Sequence, residues 1–83
     1  MYQVELTNTA YKHLQKIESR YQKLIAKAID ELSLHPNIGL SLKGKLKGYF
    51  KLRVAHYRIL YQRLDRKLII YIIDIGHRKD IYR

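Results

Sequence analysis

The sequence predicts an α+β domain: strand–helix–helix followed by a three-stranded antiparallel meander, with the helix pair packed on one face of the sheet. Three observations predict it. An alternating segment at the start leads into two stretches of helical periodicity. Three strand-like segments follow from residue 49 onward. A proline and a glycine-rich stretch divide the two halves. The 83 residues make a single domain, 1–83. A chain of this length buries only about 60–65% of its unfolded surface, so each large apolar residue in the core counts.

Tyr2-Gln3-Val4-Glu5-Leu6 alternates apolar and polar, as a half-buried strand does. Thr7, Asn8 and Thr9 supply N-cap side chains. A short helix over about 9–17 places Ala10, Leu14 and Ile17 on one face. Ser19 is positioned to cap a second helix over about 20–34. There Leu24, Ile25, Ala28, Ile29 and Leu32 form an apolar stripe opposite Lys23, Lys27, Asp30 and Glu31. His35-Pro36-Asn37 ends that helix, because proline disfavours the helical conformation in the residue before it. Residues 37–48 read as a loop. In Tyr49–Val54, Phe50, Leu52 and Val54 face one way while Tyr49, Lys51 and Arg53 face the other. Ala55-His56 makes a tight connection. Tyr57–Leu64 is apolar on both faces, as a central strand is. Asp65-Arg66-Lys67 is a hairpin turn, and 68–75 is a β-branched run expected to be the most buried strand.

Charge is unevenly distributed. Residues 43–83 carry twelve basic residues against three acids, a net +9, whereas residues 1–42 carry five against four. The basic half also holds the strands and most of the aromatic rings. The strand-borne cations must point away from the helices, because the apolar side chains of the same strands need them. Cations and aromatic rings on one sheet suit a polyanion, and nucleic acid is the first candidate. The chain has no cysteine. Disulfide, thiolate and cysteine–zinc chemistry are excluded, and a reducing cytoplasm is the expected compartment. No secretion signal is expected at the N-terminus. The longest apolar run, 68–73, is far short of the roughly 20 residues a membrane helix needs. Four histidines without metal-ligand spacing predict no zinc site. Walker-type loops, carboxylate pairs and dinucleotide fingerprints are absent from the sequence.

Residues 42–61, LKGKLKGYFKLRVAHYRILY, resemble the central segment of the RelE/ParE superfamily of bacterial and archaeal toxins, and GHRKDIY at 76–82 resembles the C-terminal motif of its RelE branch. Both halves occur in the family's order, and the resemblance spans nearly the whole chain. It implies the toxin of a type II toxin–antitoxin pair with no cofactor. RelE-type toxins cleave mRNA in the ribosomal A site without a metal, so the implied partners are a cognate antitoxin protein, the ribosome and mRNA. ParE-type relatives share the fold but act on DNA gyrase. A ParE-like gyrase inhibitor and a non-toxic basic RNA-binding domain are therefore the alternatives, and the decision rests with the site.

Metal-free RNA cleavage uses the substrate's own 2′-hydroxyl as nucleophile. The protein takes its proton, holds the extra charge of the phosphorane and helps the 5′-oxygen leave. Fixed cations supply the largest contribution, and arginine's planar fork can hold two phosphate oxygens. By the resemblance, Arg58 and Arg78 match the family's phosphate-stabilising arginines. Lys51 matches a lysine that either holds developing charge or serves as base. Tyr82 matches a tyrosine that lies against the substrate. His77 is a candidate general acid or base, although some relatives carry lysine there. Arg53 shares the face of Lys51 and is expected either to bind the RNA backbone or to pair with Asp74 or Asp80. Lys43, Lys45 and Lys47 are expected to contact RNA phosphates. Tyr49 stands where the best-known RelE pattern has a second lysine, which disfavours a two-lysine mechanism. His13, His35 and His56 are read as exposed residues without a role.

Overall fold

The structure, a computed structural model, describes residues 1–77. In chain order the elements are β1 (Gln3–Leu6), α1 (Asn8–Gln15), α2 (Ser19–Leu34), β2 (Leu40–Ser41), β3 (Tyr49–Val54), β4 (Tyr57–Leu64) and β5 (Ile69–His77). Short 3-10 turns occupy Gly44–Leu46 and Asp65–Lys67. The five strands form one sheet in the order β1-β5-β4-β3-β2. The expected meander is β3-β4-β5, antiparallel throughout.

The sheet is wider than the sequence predicts. β1 joins its edge in parallel with β5, pairing Gln3 with Ile69 and Leu6 with Ile72. β2 adds the other edge from within the supposed loop, pairing Leu40 with Lys51 and Ser41 with Phe50. A pairing of two residues leaves too little periodicity to read.

Helix boundaries shift for local reasons. Thr7, with extended backbone, is the N-cap of α1, and its hydroxyl accepts from the Ala10 amide at 3.0 Å. The same hydroxyl donates to the Ile73 carbonyl at 2.7 Å, so one side chain starts the helix and ties it to β5. Ser19 is the first residue of α2 instead of its cap. That position falls to Glu18, whose side chain makes no capping bond. Leu68, expected in the strand, closes the turn before β5 in the left-handed region, at φ 55°.

The core lies between the helices and one face of the sheet. Ala10, Ile17, Ile25 and Leu32 meet Ile59, Tyr61, Ile70, Ile72 and Ile75. Each of the large side chains contributes about 1.5–3 kcal/mol by leaving water. Phe50, Leu52, Val54 and Tyr57 extend this packing, and Phe50 stacks on Tyr61 at 5.4 Å between centroids. Leu24 stays half exposed, so the inward stripe of α2 is narrower than expected.

β5 carries a bulge that sets the site. Tyr61 pairs with Ile72, but Leu60 pairs with Asp74, leaving Ile73 as an extra residue. Side chains alternate strictly along a regular strand, so one extra residue exchanges the faces of everything beyond it. Ile70 and Ile72 point to the core, and beyond the bulge Ile75 does so.

Candidate functional site

β3 and β4 bring three of the expected cations to one place. Lys51 pairs with Leu60, and Arg53 pairs directly with Arg58. Their neighbours Phe50, Leu52, Val54 and Tyr57 pack into the core. Alternation therefore puts Lys51, Arg53 and Arg58 together on the face away from the helices. With Ile38 and Leu40 they line a cavity of about 330 Å³ at the β2 edge. Two arginines directly opposed across a strand pair can present two planar forks to one anion.

The rim beside β3 is built by Tyr61. Its hydroxyl donates to the Pro36 carbonyl at 3.1 Å and accepts from the Gly39 amide at 3.0 Å. Burial pushes the Tyr61 hydroxyl pKa up, with the Gly39 amide and Arg63 partly offsetting the shift. A Cβ at Gly39 would collide with the Tyr61 hydroxyl and lie 2.8 Å from the Lys51 carbonyl, so only glycine fits there. This clamp seats Ile38 and Leu40 against the strand that carries Lys51.

Arg53 does not pair with Asp74. Its Nε donates to the Ala55 carbonyl at 3.4 Å, and Asp74 binds His13 at 2.7 Å. Asp80, the other partner weighed for it, lies outside the described residues, as do Arg78 and Tyr82. Lys43, Lys45 and Lys47 are exposed around the 3-10 turn that leads into β3. They lie at the Tyr49 end of that strand, away from the Arg53–Arg58 pair.

His77 is not brought to the three cations. It pairs with Tyr57, on the core side of the bulge-shifted strand, and its ring lies 5.4 Å from that of His56. Gly76 takes the position opposite Arg58 instead. Sequence reading also passed over two histidines. His13 is bound to Asp74, sixty-one residues away. His56 packs against Tyr21 and Tyr57, at 4.8 and 4.6 Å between centroids. No local pattern announces either contact, since both join distant segments.

At the turn opposite this site, the Tyr2 hydroxyl donates to Asp65 at 2.8 Å and holds its carboxyl below the usual range, with Arg63 adding to the effect. Among the described residues no helix is long and apolar enough to cross a membrane.

A five-stranded α+β sheet with two helices on one face is the fold of the solved RelE toxin structures. The family model described as the ParE toxin of the type II toxin–antitoxin system parDE matches residues 4–82. The chain belongs to this family, within the RelE/ParE superfamily, and is a toxin of a type II toxin–antitoxin system. It is 36% identical to Toxin RelG of Mycobacterium tuberculosis over 84 residues, covering 99% of this chain and 97% of that protein. It is 30% identical to the mRNA interferase toxin RelE of Escherichia coli over 80 residues, covering 94% and 84% respectively. Among solved structures, the toxin–antitoxin complex RelBE2 of M. tuberculosis superposes with a TM-score of 0.86 at 33% identity, covering 93% of this chain and 98% of that one. The isolated E. coli RelE toxin superposes with a TM-score of 0.82 at 25% identity, covering 93% and 84%.

Proposed function

We propose that the chain is a ribosome-dependent, metal-independent mRNA endoribonuclease that arrests translation. The observation that carries this reading is the convergence of Lys51, Arg53 and Arg58 on one open sheet face. The naming of the RelE relative as an mRNA interferase supports it. The chemistry is an internal displacement. The 2′-oxygen loses its proton and bonds to phosphorus. The bond from phosphorus to the 5′-oxygen breaks, and that oxygen takes up a proton. The products are a 2′,3′-cyclic phosphate and a 5′-hydroxyl. Arg53 and Arg58 hold the non-bridging oxygens as negative charge grows, which is where fixed donors accelerate most. Lys51 either holds that charge or takes the 2′ proton. Arg78 and Tyr82 complete the site by the sequence resemblance, the first on the phosphate and the second against the substrate. Lys43, Lys45 and Lys47 follow the RNA backbone. A cognate antitoxin is the protein partner, as the toxin–antitoxin complexes among the structural relatives suggest.

Induced expression with 5′-end mapping of transcripts tests the reading. Cuts inside translated codons support it. Intact transcripts with gyrase-dependent DNA damage would replace it with the ParE-like reading, and unaffected growth would leave a non-toxic RNA-binding domain.

A further inference from the structure

On the other side of β5 from Arg58 lies a cavity that the reaction described above does not use. It measures about 380 Å³, within the range of small-ligand pockets, which run from about 300 to 1,000 Å³. α1 and its C-cap contribute His13 and Lys16, β4 contributes Tyr57, and β5 contributes Asp74, Gly76 and His77. Ile17 and Ile75 supply apolar lining.

The lining is sorted chemically. Tyr57 and His77 meet nearly edge to face, 6.1 Å apart at 75°, and His56 and Tyr21 continue the ring cluster outward. The Arg20 guanidinium covers the Tyr21 ring at 4.7 Å. Such a wall suits a flat, unpaired base, which stacks on aromatic side chains whatever its identity. Lys16 is a cation at the mouth. His13 has a fixed ring: its Nδ1 is bound to Asp74, whose same oxygen accepts from the Ile75 amide at 2.8 Å. That leaves Nε2 as a hydrogen-bond acceptor for a ligand hydroxyl, and the Nδ1 contact engages part of the one carboxylate among the described lining residues.

Gly76 lies between this cavity and Arg58. It lines the cavity and also pairs with Arg58 across the strands. Its backbone is not in the left-handed region, and a Cβ there would meet nothing within 4 Å. Among the described residues neither conformation nor internal packing requires glycine there, and the position opposite Arg58 carries no side chain.

We infer that this cavity is a second nucleotide subsite, taking a nucleoside monophosphate unit with its base on the Tyr57–His77 wall, a ribose hydroxyl on His13 and its phosphate on Lys16. The ligand is the RNA nucleotide adjoining the linkage held at Arg58, with the strand crossing the sheet at Gly76. This identification of the ligand rests on the proposed function; the cavity's affinity for a nucleotide does not.

The test is a titration of the full chain, followed through the histidine ring NMR signals. The two nucleotide probes are adenosine 5′-monophosphate and a non-cleavable 2′-O-methyl trinucleotide, with a glutamate-rich peptide as the comparison. Saturable shifts at His13 and His77 are expected with the mononucleotide. Lys16→Glu, a surface change, should weaken them about tenfold, as expected for a lost charge-assisted contact. The trinucleotide should bind at least about tenfold more tightly. Gly76→Val should remove that gain. Equal binding of both probes would support the site but assign it to free nucleotides. No shift at His13 and His77 with either probe would overturn the inference. Shifts produced by a glutamate-rich peptide alone would also overturn it and assign the cavity to a protein partner. Failure of mRNA cleavage with mononucleotide binding intact would count against the proposed function and leave the subsite standing.

Discussion

Arg53 and Arg58 stand directly opposite each other across β3 and β4, and that pairing concentrates the proposed chemistry in two residues. A guanidinium aimed at developing phosphorane charge in a partly dehydrated cleft is worth roughly 3–4 kcal/mol, or about 100- to 1,000-fold in rate. Arg58→Ala should therefore reduce single-turnover cleavage on ribosomes by about that factor, with an unchanged far-ultraviolet circular dichroism spectrum. Arg58→Lys should recover only part of the loss, because a lysine cannot hold two oxygens in one plane. If Arg58→Ala cleaves at the wild-type rate, the arginine has no part in the reaction.

At the scale of elements, much was legible where the signal is local. The alternation of Phe50, Leu52 and Val54 against Lys51 and Arg53 placed the cationic face correctly, because a strand with one buried side writes its orientation into neighbouring residues. The two edge strands were not legible in their pairing. β1 meets β5 across more than sixty residues, and β2 is too short to show a period. The bulge at Ile73 was hidden in a run of apolar residues that reads the same in either register. Without that bulge, simple alternation from Ile70 and Ile72 would place His77 on the open face with Arg58. With it, His77 joins Tyr57 and His56, and the face opposite Arg58 goes to Gly76.

The loop clamp also acts at the scale of elements. Tyr61→Phe removes two bonds and leaves the Gly39 amide and Pro36 carbonyl without their partner. A loss of about 1–3 kcal/mol is expected in denaturant unfolding. The pH dependence has a definite sign. Burial raises the Tyr61 pKa in the folded chain above its ordinary value of 10.0, so the folded state retains a proton that the unfolded state gives up. The corresponding stability is fully present below about pH 10 and is lost as pH rises through the raised value. Unfolding curves from pH 8 to 11 should show this extra alkaline loss in the wild type and not in Tyr61→Phe. Parallel curves for the two proteins would contradict it.

For the whole molecule, the division of labour follows from geometry. One face of the sheet is consumed by the helices, so the basic half of the chain is turned outward on the other. Affinity for RNA should then be strongly salt dependent. The seven proposed phosphate contacts, at Lys43, Lys45, Lys47, Lys51, Arg53, Arg58 and Arg78, predict a slope of about −5 in a plot of log affinity against log salt for a single strand. Removing Arg53 should flatten it by somewhat less than one unit. A slope near zero would mean that the cationic face does not bind the backbone.

The most direct measurement uses ribosomes programmed with an mRNA carrying one 2′-deoxynucleotide at the mapped cut site. Attack by the 2′-hydroxyl under the Lys51–Arg53–Arg58 face predicts rapid cleavage of the all-ribose message, with a 5′-hydroxyl on the downstream fragment, and none of the deoxy-substituted one. Cleavage of both at equal rates, or a 5′-phosphate on the product, would contradict the account.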